Sequence, residues 1–530
     1  MKKVGIIIVL LSLIFTQLSY ANDIITTDEI VIVNGEIVEN RSQNSEDDVK
    51  TITPVTNRFN KLTDYPNGYS VNYPNDMYVD IHMSPVQNTL FNEAMKIEIY
   101  YDDMNNTLAN AWNYIYYSNG FLSNQTDHFA EEEKIFIHNG YSIHTLKWHR
   151  NKLAKVENDK NHYLSAVIIK NNKEVYSLFF KSSEPLDETL CFEIIKSFKI
   201  TDKTGKPYMS KLPGEGYVRN WNDETQAFYN DYFINSDKLT WGIFDNYAPD
   251  FFEHYRKTEE LLNFNFDFLV KYQNLPEDSN LEAIKESLEK AYEENRYVEL
   301  TLQTSRLNEE DGNMVYDILD GKYHDFFEEY SEMLKSFGKP VMFRLNNEMN
   351  GDWCVYSSYH TSKDTDIYKE LYRYVFKTFE ANGVDNVLWI WNPHDISFPN
   401  FKWNHALNYY PGDNFVDIVG MTGYNTGNYY PGEVWRGFQE IYDPLYLEYD
   451  GIFNKPFMIT EFGSNSFGGS KEKWVQEMFE NISKYERIKA AIWWNGCDYD
   501  SQGRAARIYR LDESPYLINI FRKELQKFIK

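Results

Sequence analysis

Cysteine is nearly absent, at three in 530 residues. So few thiols cannot build a disulfide framework, and a chain this long can bury its cores without one. Basic residues are also short. Lys and Arg number 53 against 80 Asp and Glu, a net charge of −27. A surface that negative repels phosphate backbones, so nucleic acid is not expected as a partner. After residue 21 no apolar run is long enough to cross a bilayer. No group of His, Cys and carboxylates has metal-ligand spacing, so neither a metal nor another cofactor is expected.

Aromatic surface is in excess. Tyr 42, Phe 35 and Trp 12 make 17% of the chain, more than a core ordinarily uses. The remaining composition is that of folded domains, roughly two to four for this length. Residues 1–21 read as a secretory signal. Lys2 and Lys3 precede an apolar run over 4–15, and small Ser19 and Ala21 flank Tyr20, so cleavage after Ala21 and export are expected. Residues 22–56 are polar and acidic. Within them Asn34-Gly35 sits between two apolar runs, a type I′ hairpin signature. The hairpin is either an arm docked on the first domain or a tether to the cell surface.

Residues 57–204 combine strand-like alternation at 95–100, a hairpin pattern at 163–169 and 175–180, and helical spacing at 108–116 and 190–197. That is an α+β pattern. Gly205, Pro207, Pro213, Gly214 and Gly216 mark a linker over 205–220. From 221 to 530 the rhythm changes. Short apolar runs at 239–244, 264–270, 297–302, 341–345, 387–391, 416–421, 457–460 and 488–494 alternate with amphipathic stretches such as 281–291, 368–379 and 471–482. The expected class is therefore α/β: a C-terminal (β/α)8 TIM barrel with a smaller α+β N-terminal domain. A doubly wound sheet would carry a Gly-rich phosphate turn after its first strand, where Asp245-Asn246-Tyr247 stands instead.

A barrel carries its chemistry where its strands end. The fourth run ends in Arg344-Leu345-Asn346-Asn347-Glu348, and the seventh in Thr460-Glu461. Either Glu alone would read as a salt-bridge partner. Two facing each other across a barrel mouth are what glycoside cleavage needs: one to hold a proton for the leaving oxygen, one to stay ionised. Proximity of the two charges helps raise the pKa of the acid.

The stretches 344–353, 417–425 and 456–463 resemble glycoside hydrolase family 26 in order and spacing, over about residue 220 to the C-terminus. The resemblance implies a retaining (β/α)8 enzyme from a group dominated by β-mannanases. It implies Glu348 as acid/base, Glu461 as nucleophile, Tyr424 orienting that nucleophile, and Arg344 beneath the site. It also implies Trp494 as a floor under the sugar, with its neighbour Trp493 pointing the other way on the strand. Trp353, directly after the acid motif, would stack on sugar. The chain departs from the family where members usually carry His: it has Asn347 before the acid and Leu302-Gln303-Thr304-Ser305 after the third strand. Tyr356 stands where Trp is usual. Related barrel glycosidases use such an Asn to bond the 2-hydroxyl of the reacting sugar, so catalysis is expected to survive while mannan preference is open. Fragments at 69–74, Trp148, Tyr163 and 197–199 are similar to PsbP-like domains, which implies no chemistry.

Aromatic residues on the loops after the fourth to sixth strands, including Tyr356, Trp403, Tyr409 and Tyr430, are expected to divide between sugar stacking and loop packing. Cys354 and Cys497 follow strands on opposite sides of the barrel and are expected as free thiols. His394, alone after the fifth strand, reads as structural. The whole reads as an exported, monomeric endo-β-glycanase acting on a polysaccharide or oligosaccharide. Its N-terminal domain is a candidate for cell-envelope association. Besides mannan, the open substrates are β-1,3-xylan, mixed-linkage β-glucan and the producer's own envelope polymer. The rival from another class is a non-catalytic glycan-binding envelope protein.

Overall fold

Apolar runs of four to eight residues suit strands buried on both faces, and the eight runs of the C-terminal half become such strands. The computed structural model describes residues 47–209, 218–276, 279–308 and 310–529, preceded by the strands Asp23–Thr26, Ile30–Val33 and Glu36–Glu39. The expected signal, 1–21, lies outside the described residues. Ile30–Val33 pairs antiparallel with Glu36–Glu39. No described helix is long and apolar enough to cross a membrane.

The chain divides into two compact units. One holds Met1–Tyr116, Phe129–Lys152 and Asn158–Lys211. The other holds Leu212–Lys530 together with Tyr117–His128 and Leu153–Glu157. In the first unit the hairpin pattern becomes the paired strands His162–Asn171 and Glu174–Ser182, part of a seven-stranded sheet. A five-stranded sheet contributes Leu62 and Val71 to the same core as Ile97, Leu178 and Phe180. The helix Glu188–Ser197 adds Ile194 and Ile195, and starts where the Asp187 carboxylate accepts the Leu190 N–H.

In the second unit eight parallel strands close in chain order. They are β1 Thr240–Phe244, β2 Phe268–Leu275, β3 Tyr297–Thr304, β4 Val341–Leu345, β5 Val387–Trp391, β6 Ile418–Asn425, β7 Phe457–Ser464 and β8 Ile488–Trp494. Closure is by β1 against β8, with Gly242 opposite Ile492. The second strand differs from its apolar run at 264–270. Phe264 and Phe266 are buried against each other ahead of the strand, at 5.3 Å between rings. The strand itself continues through Lys271, Tyr272, Gln273 and Asn274, because its last residues enter the mouth, where side chains are polar.

The starting ends of the strands are plugged by aromatics. The helix Asp223–Tyr229 and the turn after it carry Phe228 and Phe233, whose rings lie 6.0 and 6.2 Å from that of Phe268. They share a core with Met342, Leu388, Ile418 and Met458. The barrel is thus filled at the end opposite its mouth. Phe228→Ala is expected to cost about 3–5 kcal/mol of barrel stability, read as a lower urea midpoint by near-UV circular dichroism. An unchanged midpoint would contradict the plug.

Candidate active site

Both glutamates stand at the mouth. Glu461 lies on β7 and is almost fully buried. Four donors converge on its carboxylate. Arg344 Nη1 donates to Oε1 at 2.7 Å and Asn347 Nδ2 at 3.2 Å; the hydroxyls of Tyr272 and Tyr424 donate to Oε2 at 2.7 and 2.8 Å. An ionised carboxylate offers about four lone-pair sites and no proton, so it matches that set.

Arg344 on β4 is completely buried and lies between two carboxylates. Its Nε is 2.5 Å from Glu299 Oε1 of β3, and Nη1 also donates to Asn392 Oδ1 at 2.8 Å. Burial pushes the Glu299 carboxyl up to about 7; Arg344 pulls against this and the charge of Glu461 adds to it.

Glu348 is half-buried and sits in a left-handed backbone conformation, φ +54°. A non-glycine residue holds that conformation only where its surroundings fix it. Here its N–H donates to the Asn392 carbonyl at 2.7 Å. Asn350 reinforces the junction, giving Nδ2–H to the His394 carbonyl and taking the His394 N–H on Oδ1. The loops after β4 and β5 are stapled together in this way. The Trp353 indole donates to Glu348 Oε2 at 3.0 Å. Burial pushes Glu348 up to about 7; the negative Glu461 adds to this, while His394 and the Trp353 N–H oppose it.

The sequence leaves open which tryptophan of the pair at the end of β8 meets the site. Trp494 is half-buried, stacks on Phe244 at 5.1 Å, and meets Tyr424 edge-on at 6.3 Å. Trp493 is buried against Phe462 and Phe521, its indole donating to the Tyr509 carbonyl. Trp494 is therefore the one beside Tyr424, a donor to Glu461. Trp353 is 49% exposed and lies 5.3 Å from Phe398, making an open aromatic surface next to Glu348. Trp403, Tyr409 and Tyr356 are buried and belong to loop packing. Cys191, Cys354 and Cys497 are free thiols.

Three participants escape the sequence reading. Glu299 lies inside the apolar run at 297–302 and is met there only as part of a strand. Tyr272 belongs to the polar end of β2, beyond the apolar run that marks the strand. Gln303 is visible in the sequence only as a departure from an expected His. Its Nε2 donates to Asn347 Oδ1 at 2.8 Å, so the two departures form one contact. The Gln303 amide holds the Asn347 amide, and Asn347 holds Glu461.

Eight parallel strands with a carboxylate closing β4 and another on β7 define a (β/α)8 barrel with an acid pair at its mouth. Residues 301–491 match the model of glycosyl hydrolase family 26. Endoglucanase H of Acetivibrio thermocellus is 32% identical over 183 residues, 34% of this chain and 20% of that protein. A mannan endo-1,4-beta-mannosidase of Bacillus subtilis is 30% identical over 169 residues, 31% of this chain and 41% of the relative. The chain thus matches less than half the length of either. Among solved structures, the catalytic domain of the endo-beta-1,4-mannanase of Bacillus sp. JAMB-750 is 18% identical, with a TM-score of 0.44 over 59% of this chain and 94% of that one.

The raised carboxyl has a stability signature. Folded Glu348 keeps its proton to about 7, whereas a carboxyl with the ordinary value of 4.5 gives it up earlier. The folded state therefore binds more protons between those values, and this group's contribution to stability falls as pH rises through the window. Glu348→Gln removes that loss. The melting temperature of the variant relative to wild type is expected to rise from pH 5 to pH 8, as measured by calorimetry. A constant difference would contradict the raised value.

Proposed function

We propose that this chain is an exported glycoside hydrolase that cleaves internal β-glycosidic bonds of a polysaccharide with retention of configuration. The observation that carries the reading is the unequal pair at the mouth: Glu461 held by four donors, and Glu348 half-buried with its carboxyl raised to about 7. In the reaction Glu461 attacks the anomeric carbon as the Glu348 proton passes to the departing oxygen. The glycosidic C–O bond breaks and a glycosyl ester forms on Glu461. Glu348, now a carboxylate, takes a proton from a water that attacks the same carbon and frees Glu461.

Tyr272, Tyr424 and Arg344 aim the Glu461 oxygens. Asn347 has a second Nδ2 hydrogen besides the one on Glu461, and this hydrogen serves the 2-hydroxyl of the sugar. Trp494 and Trp353 stack on rings on either side of the scissile bond. The names of the relatives make β-1,4-mannan and β-glucan the first substrates to test, followed by β-1,3-xylan and the producer's envelope glycan. Export rests on the signal pattern at 1–21, and envelope association on the N-terminal unit. The protein acts as a monomer in this reading.

The test is hydrolysis of that polysaccharide panel by the full chain. Glu348→Ala and Glu461→Ala are each expected to lower the rate on the cleaved polymer by about 10²–10⁴-fold. Full activity in either variant would overturn the assignment. Proton NMR of the first products should show the β anomer; the α anomer first would rule out retention. Binding without release of reducing ends across the whole panel would favour the non-catalytic glycan-binding reading.

A further inference from the structure

A segment from far upstream packs on loops of the barrel unit. Tyr117–His128 groups with the barrel unit although its neighbours in sequence do not. It lies on the loops after β3 and β4. Asp127 Oδ2 accepts the backbone N–H of Asn313 at 2.7 Å and the Asn124 Nδ2–H at 2.6 Å. Gly312 makes room for it: at φ +75° a Cβ there would sit 2.7 Å from Asp127 Oδ1. One residue on, His128 Nδ1 meets the Asn124 carbonyl at 2.9 Å and Nε2 meets the Tyr316 hydroxyl at 2.8 Å. A neutral ring donating from Nδ1 accepts at Nε2, so Tyr316 donates to it and can accept in turn from Ser362 Oγ at 3.2 Å. Gly120 lies flat against Tyr359, whose ring a Cβ would meet at 2.6 Å.

Asn313 carries the contact onward. Its Oδ1 caps the helix Met314–Leu319 by accepting the Val315 N–H, while Nδ2 donates to the Val355 carbonyl at 2.7 Å. Val355 lies between two residues that grip the Asn347 carbonyl: Tyr356 by its hydroxyl at 2.6 Å and Cys354 by its thiol at 3.6 Å. Trp353, on the same short turn, holds Glu348. An unbroken series of bonds therefore runs from Asp127 to the residue with the strained backbone.

We propose that Tyr117–His128 is a positioning strap for the active site, which through Asp127 and Asn313 fixes the 353–356 turn and so the place of Glu348 and its Trp353 donor. The inference deepens the proposed reaction and shares its assignment of Glu348. Asp127 and Asn313 touch no substrate and act through the turn. A strap that only filled space would leave the titration of Glu348 unaltered. A strap that aims Trp353 at Glu348 strengthens a bond to the ionised form, so loosening it moves the titration upward. The charged and titratable groups facing Glu348 are Glu461, Arg344, His394, Tyr424, Tyr509, Cys354 and Tyr356; none of them lies on the strap, and Cys354 and Tyr356 belong to the turn it fixes.

The experiment uses the full chain and no substrate. Intrinsic tryptophan fluorescence, to which Trp353 contributes beside Glu348, is titrated from pH 4 to pH 9, and the same titration in the Glu348→Gln background is subtracted, which isolates the step that depends on Glu348. Asn313→Ser keeps a capping oxygen but cannot reach Val355. It and Asp127→Ala are expected to raise the midpoint by about 0.5–1 pH unit, the scale of one lost hydrogen bond. Asp127→Asn keeps an acceptor and should titrate like wild type. A midpoint that stays or falls in folded Asn313→Ser overturns the strap. If Asp127→Ala does not fold, Asn313→Ser decides alone, because it breaks the same series one link later. The readout needs no turnover, so a chain that cleaves no polysaccharide counts against the proposed reaction, whereas an active enzyme with an unmoved midpoint counts against the strap.

Discussion

A guanidinium cannot shed its charge, so one that no water reaches must be matched by carboxylates where it lies. Arg344 is that group, and the site is arranged around it. Glu299 below and Glu461 above bind different nitrogens of one side chain, Nε and Nη1. With both ionised the trio would carry an excess negative charge in the barrel interior. Burial pushing Glu299 up to about 7 relieves this: below that value Glu299 takes a proton, and the Arg344 charge is committed to Glu461. β3, β4 and β7 are thereby tied together at the depth of Glu461. Two tyrosine hydroxyls and an amide complete the shell. Losing one partner would leave a buried charge uncompensated, which costs more than the partner's own bond is worth.

The second constraint is backbone. Asn346 and Glu348 both have positive φ, at +53° and +54°. Asn tolerates this conformation and Glu does not, at a cost of about 1–3 kcal/mol. The turn persists because every exit is bonded. The Asn346 side chain holds Thr304, the Glu348 N–H holds Asn392, Asn350 brackets His394, and the Tyr368 hydroxyl sits on the carbonyls of Leu345 and Asn346. The Glu348 carboxyl takes the Trp353 indole N–H. Held in that way, a carboxyl can sit half-buried beside Glu461 instead of turning out to water.

Much of this was legible in the chain, for a physical reason. Barrel strands are covered on both faces, so β4, β5 and β8 coincide with their apolar runs, and reading the first few residues after the fourth and seventh runs finds Glu348 and Glu461. Legibility stops where strands enter the mouth and turn polar. Hence Tyr272 was missed, and β6 and β7 run on to Asn425 and Ser464. The Gln303 contact depends on register, Leu302 beside Leu345, and register between parallel strands leaves no local mark. Aromatic content alone did not separate stacking surface from packing. Trp353 and Tyr356 are three residues apart, yet one is half exposed and the other buried. The strap has no periodicity or motif of its own; only its docking gives it meaning.

The paired departures from the family pattern have a common consequence. An imidazole next to Glu348 could change protonation in the range where Glu348 titrates. The Asn347 amide cannot, and its direction is set from both sides, with Gln303 donating to its oxygen and its nitrogen donating to Glu461. Its role is therefore the same at every pH, and the proton chemistry of the mouth is left to Glu348 and its neighbours. Under the proposed reaction the amides also bear on selectivity. A buried amide that loses its hydroxyl partner leaves a polar group unpaired, which penalises a wrong sugar far more than a poorer stacking contact does. Exposed Trp353 can accept many rings, whereas Asn347, fixed by Gln303, can accept only a hydroxyl in one place. Choice of sugar would then reside in the β3–β4 amide pair, and the aromatic surface would supply affinity without much discrimination.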